Sequence, residues 1–433
     1  MPSNHLSYAI RAKGLPAFNN RIRSISQRYG FSPVKMENSL RQFIGILQQY
    51  QCGASFPLTA VALKRYPDSI QAFQQAPVEF CVHGYTHKDF SSLDPDKIVD
   101  QLHKARQVFS NTGLTTTGFR SPYLSRSSDI SKALETTGFS FSSNQPILWD
   151  IIDATSLTAS QTANFGHAVA YYQPWLADAR LSLPYQIYGL VDIPVSLPDD
   201  EMLFDRLNLS HADVENAWQN ILTQTYQRGE LFTLQVHPER TSLCVEALLA
   251  LLSRAQSLSP KIWIAKLSEI AAWWRNLSAA YIELIELSNN QYKVRIKSPV
   301  SATVLVRSVE ANAPTEVFFD NYRSVNSIDF TVRSSVRPII GLSPNTSQVL
   351  ANFLRQQGLI IEFNPRREQY SLYFDQESFD HSQERSIVAA IDSSLQPLVR
   401  LWRWPNGAKS ALAITGDIDA LTLWDFGLRL IGS

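Results

Sequence analysis

Cysteine is scarce in this 433-residue chain: Cys52, Cys81 and Cys244 are far apart and odd in number. They make neither a disulfide framework nor a Cys-x-x-Cys metal knuckle. An excess of charge of one sign is missing too. Lys plus Arg and Asp plus Glu are both 39, a formal net charge of zero, so no global field draws the chain to nucleic acid or an anionic membrane. No apolar run approaches the roughly 20 residues of a membrane span. The opening "MPSNHLSYAIRAKG" lacks the basic segment and apolar run of a secretory signal. A cytoplasmic, reduced protein is expected. Internal repeats and low-complexity tracts are absent as well.

What is present is enough chain for two or three domains, with a soluble composition of 44% hydrophobic and 18% charged residues. From about residue 37 to 275, strand and helix signals alternate, which predicts an α/β domain with a largely parallel sheet. "MENSLRQFIGILQQYQC" spaces Leu40, Phe43, Ile44 and Leu47 as one face of a helix. "VEFCVHGYTH", "TTGFRSPY", "LVDIPVSLP" and "LFTLQVHPER" are apolar runs ending in polar turns, and in a parallel sheet chemistry gathers at such ends. From Tyr281 the texture changes. "QYKVRIKS" alternates apolar and basic residues, a half-wet antiparallel strand. The expected domains are an α/β domain over 1–280, a small antiparallel β module over 281–345, a helical, winged-helix-like unit over 346–400, and a terminal strand and helix over 401–433 that return to the first domain.

The candidate chemistry lies at strand ends. His83 and His87, four apart in "HGYTH", can face one Zn²⁺ if the residues between them make a helical turn. His237 follows "LFTLQV", a position suited to proton transfer. Arg120 in "GFRSPY" can orient a carboxylate. Such a site lacks acids, and "TGDIDA" near the far end supplies Asp417 and Asp419. Alternation along a strand aims both to one side, one for the ion and the other for the proton of its bound water.

This motif set resembles the polysaccharide deacetylase family, the NodB-type carbohydrate esterases, in its Asp-x-Asp branch. "TGDIDA", "HGYTH", "RSPY", "DIPVS" and "LQVH" stand for the family's five motifs. Their order differs: read from Trp402 to Ser433 and on from residue 1, they follow the family, so the chain looks circularly permuted. The resemblance implies an irregular deacetylase-type (β/α) barrel. It implies Asp419, His83 and His87 as ligands of a divalent metal, with zinc expected, and Asp417 as the base held by Arg120. It further implies His237 as the acid for the leaving amine, the backbone N–H of Tyr123 as an oxyanion donor, and Asp192, ahead of Asp199 and Asp200, as the partner orienting His237.

The expected activity is metal-dependent hydrolysis of an N-acetyl amide on a sugar or glycan, with Tyr123, Trp149 and Trp175 lining the cleft. The alternatives are an allantoinase-like hydrolase of a small amide or ureide, and a non-catalytic glycan- or partner-binding protein. Neither nucleic acid nor a membrane span is expected. A homo-oligomer built through residues 281–395 is compatible with the pattern, and burial of Trp424 and Phe426 is expected to tie down the final helix.

Overall fold

The computed structural model describes residues 25, 28–288 and 290–431, so residues 1–24 of the expected first domain lie outside it. The helix Val34–Gln49 buries the expected Leu40, Phe43, Ile44 and Leu47, together with Met36 and Ile46. Beside it stands a nine-stranded sheet. Its path runs Leu231–Val236, Ser410–Gly416, Ala54–Leu58, Val78–Val82, Gly118–Phe119, Phe141–Ser142, Leu190–Asp192 and Tyr185–Ile187, with Ile262–Ile264 also beside Ser410–Gly416. All these pairings are parallel except the terminal Tyr185–Ile187 with Leu190–Asp192. The strands "ASFPL", "LFTLQV" and "SALAITG" are buried throughout, as strands covered on both faces must be. Among the described residues, strand pairing does not close this sheet into the expected barrel: its two ends do not pair with each other.

Ser410–Gly416, from the far end of the sequence, lies in the middle of this sheet. Leu231–Val236 pairs residue for residue with Ala411–Gly416 on one side, and Ser55 faces Thr415 on the other. Beyond the strand, Ile418 N donates to Pro57 O at 2.7 Å and Asp417 N to Val236 O at 3.0 Å. Gly416 is required by close approach, since a Cβ there would lie 2.5 Å from the Phe56 ring. The run "LVDIPVSLP" is not one strand. It divides into Leu190–Asp192 in the large sheet and Val195–Leu197 in a separate sheet with Pro146–Leu148 and Trp175–Leu176.

Residues 281–405 depart from the expected boundaries. Four antiparallel strands form one sheet: Tyr281–Ser288, Gln291–Lys297, Asp329–Arg333 and Glu310–Ala311. A second holds Thr315–Phe319, Tyr322–Val325 and Ala302–Arg307, and is completed by Leu398–Pro405, so the β module recruits a strand from well beyond 345. The winged-helix expectation also fails. Ile361–Phe363 and Tyr370–Phe374 do not pair as a hairpin; both run parallel to Arg337–Leu342, one on each side, with the helix Gln348–Gln356 in the connection. A helix between strands imposes that parallel crossover, which an adjacent-strand reading of the sequence misses.

Candidate active site

Four strand ends converge on Arg120, whose side chain is wholly inaccessible to solvent. Its Nη1 donates to Asp417 Oδ1 at 2.8 Å and to Thr415 Oγ1 at 2.7 Å, its Nε to Ser143 O at 3.1 Å and its Nη2 to Ser143 Oγ at 2.8 Å. A buried guanidinium must find such a set, because an unpaired buried charge is very costly. Asp417 is correspondingly fixed, with Gln235 Nε2 donating to its Oδ2 at 3.2 Å. Arg120 and Asp417 are 297 positions apart in sequence, and the central position of Ser410–Gly416 makes them neighbours.

One residue pair further along the same strand end, Asp419 meets both histidines of "HGYTH". His83 Nε2 lies 3.3 Å and His87 Nε2 3.2 Å from Asp419 Oδ1. The segment between the histidines is a bend rather than the expected helical turn, opened by Gly84 at φ +77°, where a Cβ would stand 2.8 Å from Thr86 O. His83 Nδ1 is 2.8 Å from Arg120 O. A carbonyl only accepts, so Nδ1 carries a proton and Nε2 is the ring nitrogen turned toward Asp419. Burial, reinforced by the Arg429 charge, lowers the His87 pKa to about 3, which keeps that ring neutral. Burial works against the Asp419 carboxylate, but the Arg429 charge holds its pKa well below the usual range.

These residues fit a divalent cation. Asp419 Oδ1 and His87 Nδ1 are buried without hydrogen-bond partners, and three ligand atoms, one from each of His83, His87 and Asp419, lie within 4.8 Å of one another. Separations of 3.2 and 3.3 Å suit two ligands each about 2.0–2.1 Å from one tetrahedral ion. Two imidazoles and one carboxylate are a donor set for zinc or a similar borderline metal.

His237 follows the strand that pairs with Ser410–Gly416, next to Val236, which faces Gly416. Its orienting partner is Asp200. Asp200 Oδ1 lies 2.6 Å from His237 Nδ1, and Oδ2 accepts from His237 N at 2.8 Å. Burial disfavours the imidazolium, yet the Asp200 charge and hydrogen bond outweigh it and raise the pKa to about 10. The Asp200 carboxylate is lowered in turn: burial opposes, and His237 and Arg240 prevail. Asp199 is raised to about 7 by burial and by Asp200 beside it. The expected assignment of Asp192 is therefore corrected. Its Oδ1 accepts from Ser142 Oγ at 2.5 Å and Asn144 N at 3.2 Å, and its Oδ2 from Gln145 N at 3.3 Å. It ties neighbouring strands together and does not reach His237, because the sequence run that carries it splits before Asp199.

Trp149 is a second correction. It is 1% exposed within the main core, under the Arg228 guanidinium at 5.3 Å, and lines no open cleft. Trp175 is partly buried beneath Arg180 at 3.4 Å. Tyr123 does border the site: its ring meets His87's edge-on at 4.5 Å and Tyr171's at 5.9 Å. Three contributors carried no usable sequence signal. Gln235 sits within an apolar strand, Tyr171 is the penultimate residue of the helix Ala159–Tyr172, and Arg429 lies on the final helix, where it pairs with Asp419 Oδ2. Asp200 was legible only as one of three nearby acids.

No curated protein matches this chain significantly. Among solved structures it is similar to a putative polysaccharide deacetylase from Mycobacterium smegmatis, at 21% identity and TM-score 0.45, covering 61% of this chain and 85% of that one. It is also similar to a probable polysaccharide deacetylase from Pseudomonas aeruginosa PAO1 (18%, TM-score 0.42, 55% and 73%) and to the Puue allantoinase (18%, TM-score 0.42, 55% and 72%). The polysaccharide deacetylase family model matches residues 24–142, the segment that holds His83, His87 and Arg120. Residues 24–142 thus match a polysaccharide deacetylase domain.

Proposed function

We propose that the protein is a metal-dependent deacetylase that hydrolyses an N-acetyl amide on a sugar-containing substrate. The observation that carries this reading is the delivery of Asp417 and Asp419 by one strand to two different partners, Arg120 at 2.8 Å and the His83–His87 pair at 3.3 and 3.2 Å. His83, His87 and Asp419 would hold the ion, which when bound supplies a Lewis acid for the amide carbonyl and makes water more acidic. Asp417, kept in place by Arg120 and Gln235, takes the proton of the attacking water. His237, charged at neutral pH through Asp200, returns a proton to the leaving amine nitrogen. The backbone N–H of Tyr123 serves the developing oxyanion; the φ of 59° at this residue, unusual outside glycine, is the kind of backbone constraint a positioned donor requires.

The motif order is that of a circular permutation, a reading supported by the parallel insertion of Ser410–Gly416 between Ala54–Leu58 and Leu231–Val236. A sugar is favoured over a small ureide because the aromatic surface continues outward from His87 through Tyr123 to Tyr171, a residue 55% exposed. Such a surface suits the apolar face of a pyranose ring.

The test compares metal content and acetate release from N-acetylated oligosaccharides for the wild type, Asp419→Ala and His83→Ala. About one ion per chain in the wild type, lost in both variants together with acetate release, is expected. Retention of the ion by Asp419→Ala would break the link between the two ends of the chain.

A further inference from the structure

The two oxygens of Asp419 have different surroundings. Oδ1 makes no hydrogen bond and faces the two imidazole Nε2 atoms, whereas Oδ2 is taken by the Arg429 guanidinium. That guanidinium is itself held. It lies 5.8 Å from the Tyr123 ring centre and 5.5 Å from that of Phe426.

Its helix, Leu423–Ile431, is pinned at its start. Arg65 Nη1 donates to Asp425 Oδ1 at 2.7 Å, Asp425 N to Thr422 Oγ1 at 3.2 Å, and Leu423 N to Gly30 O at 2.8 Å. The Tyr29 and Phe426 rings meet at 5.4 Å. Trp424, by contrast, is 66% exposed and takes no part in the anchoring expected of it. An arginine tethered in this way has been given a place by the fold rather than by chance at a surface.

From this geometry we infer that Arg429 is a positioning residue of the cation site. It occupies one carboxylate oxygen, so that Asp419 offers a single oxygen to an ion, and its charge offsets the only negative charge among the three ligands. The inference rests on reading His83, His87 and Asp419 as ligands. Its physical content is a balance of two effects. The hydrogen bond orients the ligand, which by itself favours binding. The fixed positive charge a few ångströms from a dication opposes binding, and at that distance in a buried site the charge effect is the larger. The chain therefore holds its ion less tightly than two histidines and a free carboxylate would, leaving more of the ion's charge for the substrate carbonyl.

The test is direct zinc titration of the metal-free full-length protein by calorimetry at constant pH, without substrate, for the wild type, Arg429→Gln and Arg429→Lys. Glutamine keeps a donor for Oδ2 and removes the charge; lysine keeps the charge. Arg429→Gln should bind zinc ~10-fold or more tightly than the wild type, and Arg429→Lys should stay within about threefold of it. A residue that only anchors the helix would change the melting temperature in both variants and leave both affinities alone. Equal affinities in all three proteins, or weaker binding by Arg429→Gln, overturn the inference while the metal reading stands. Absence of zinc binding in all three removes the metal reading and this inference with it.

Discussion

Two buried clusters of histidine and aspartate lie at neighbouring strand ends, and they treat their histidines in opposite ways. In the first, His87 touches Asp419 yet its pKa falls to about 3. In the second, His237 touches Asp200 and its pKa rises to about 10. Burial lowers both. The difference lies in what the carboxylate is free to do. Asp419 is already matched by Arg429, whose positive charge adds to burial in lowering the His87 pKa although Asp419 Oδ1 stands 3.2 Å from His87 Nε2. Asp200 gives His237 both of its oxygens, at 2.6 Å to the ring and 2.8 Å to the backbone. A neutral imidazole can serve as a metal ligand and an imidazolium as a proton donor, so one residue type beside one partner type is set to two protonation states by its surroundings.

The strongest way to break this comparison is to remove Asp417, the base of the proposed reaction. Asp417→Asn should retain the bound ion while acetate release falls by ~10²–10⁴-fold. The same change leaves the buried Arg120 without its counter-charge, and thermal or urea unfolding should register a loss of roughly 3–5 kcal/mol.

Next in size is Asp200→Asn. With the carboxylate charge gone, burial dominates and the His237 pKa drops from about 10 toward or below its ordinary 6.5, readable by NMR of the imidazole carbons. The alkaline limb of the activity profile should move to lower pH in step. For the wild type the sign follows from a raised pKa: the stabilisation from charged His237 is fully present below about pH 6.5 and fades as pH rises through about 10. Asp200→Asn should lose that dependence, and an unchanged imidazole titration would refute the pairing.

Asp192→Asn sharpens the same contrast from the other side. It should cost ~1–3 kcal/mol of stability, because Ser142, Asn144 and Gln145 lose a charged acceptor, yet leave the His237 titration where it was. The smallest effect belongs to Tyr171→Ala. The Michaelis constant for an N-acetylated oligosaccharide should rise a few-fold, consistent with ~1 kcal/mol for one aromatic contact, with turnover unchanged; a fall in turnover alone would count against a substrate-stacking role.

The residues that carry these effects were unequally visible beforehand. His83, His87, Arg120 and His237 could be read because each follows an apolar run, and in a parallel sheet such runs end on one edge. Asp192 stood ahead of Asp200 because "DIPVS" stands for the fourth motif of the family resemblance, in a run that reads as continuous. In the fold it breaks after Asp192, which turns that acid toward Ser142 and carries Asp200 to His237. Trp149 resembled a cleft residue by type, but a tryptophan beside a strand end is as easily core, and burial decided the matter. The module over 281–405 was recognisable as β-rich from its alternation. Its outline was not, because the Leu398–Pro405 strand joins it across a gap in sequence that local periodicity does not register.

By itself, then, the sequence determined the local matters: which runs form buried strands, where polar residues cap them, and that two acids leave one strand two positions apart. The tertiary structure alone decided that this strand lies between Ala54–Leu58 and Leu231–Val236, and so which histidines and which arginine the acids meet. It also decided that Asp200 rather than Asp192 orients His237, and that Arg429 takes the second oxygen of Asp419. The reason is physical. Strand formation depends on neighbours in sequence, whereas strand order depends on packing between segments hundreds of residues apart, where no local periodicity carries information.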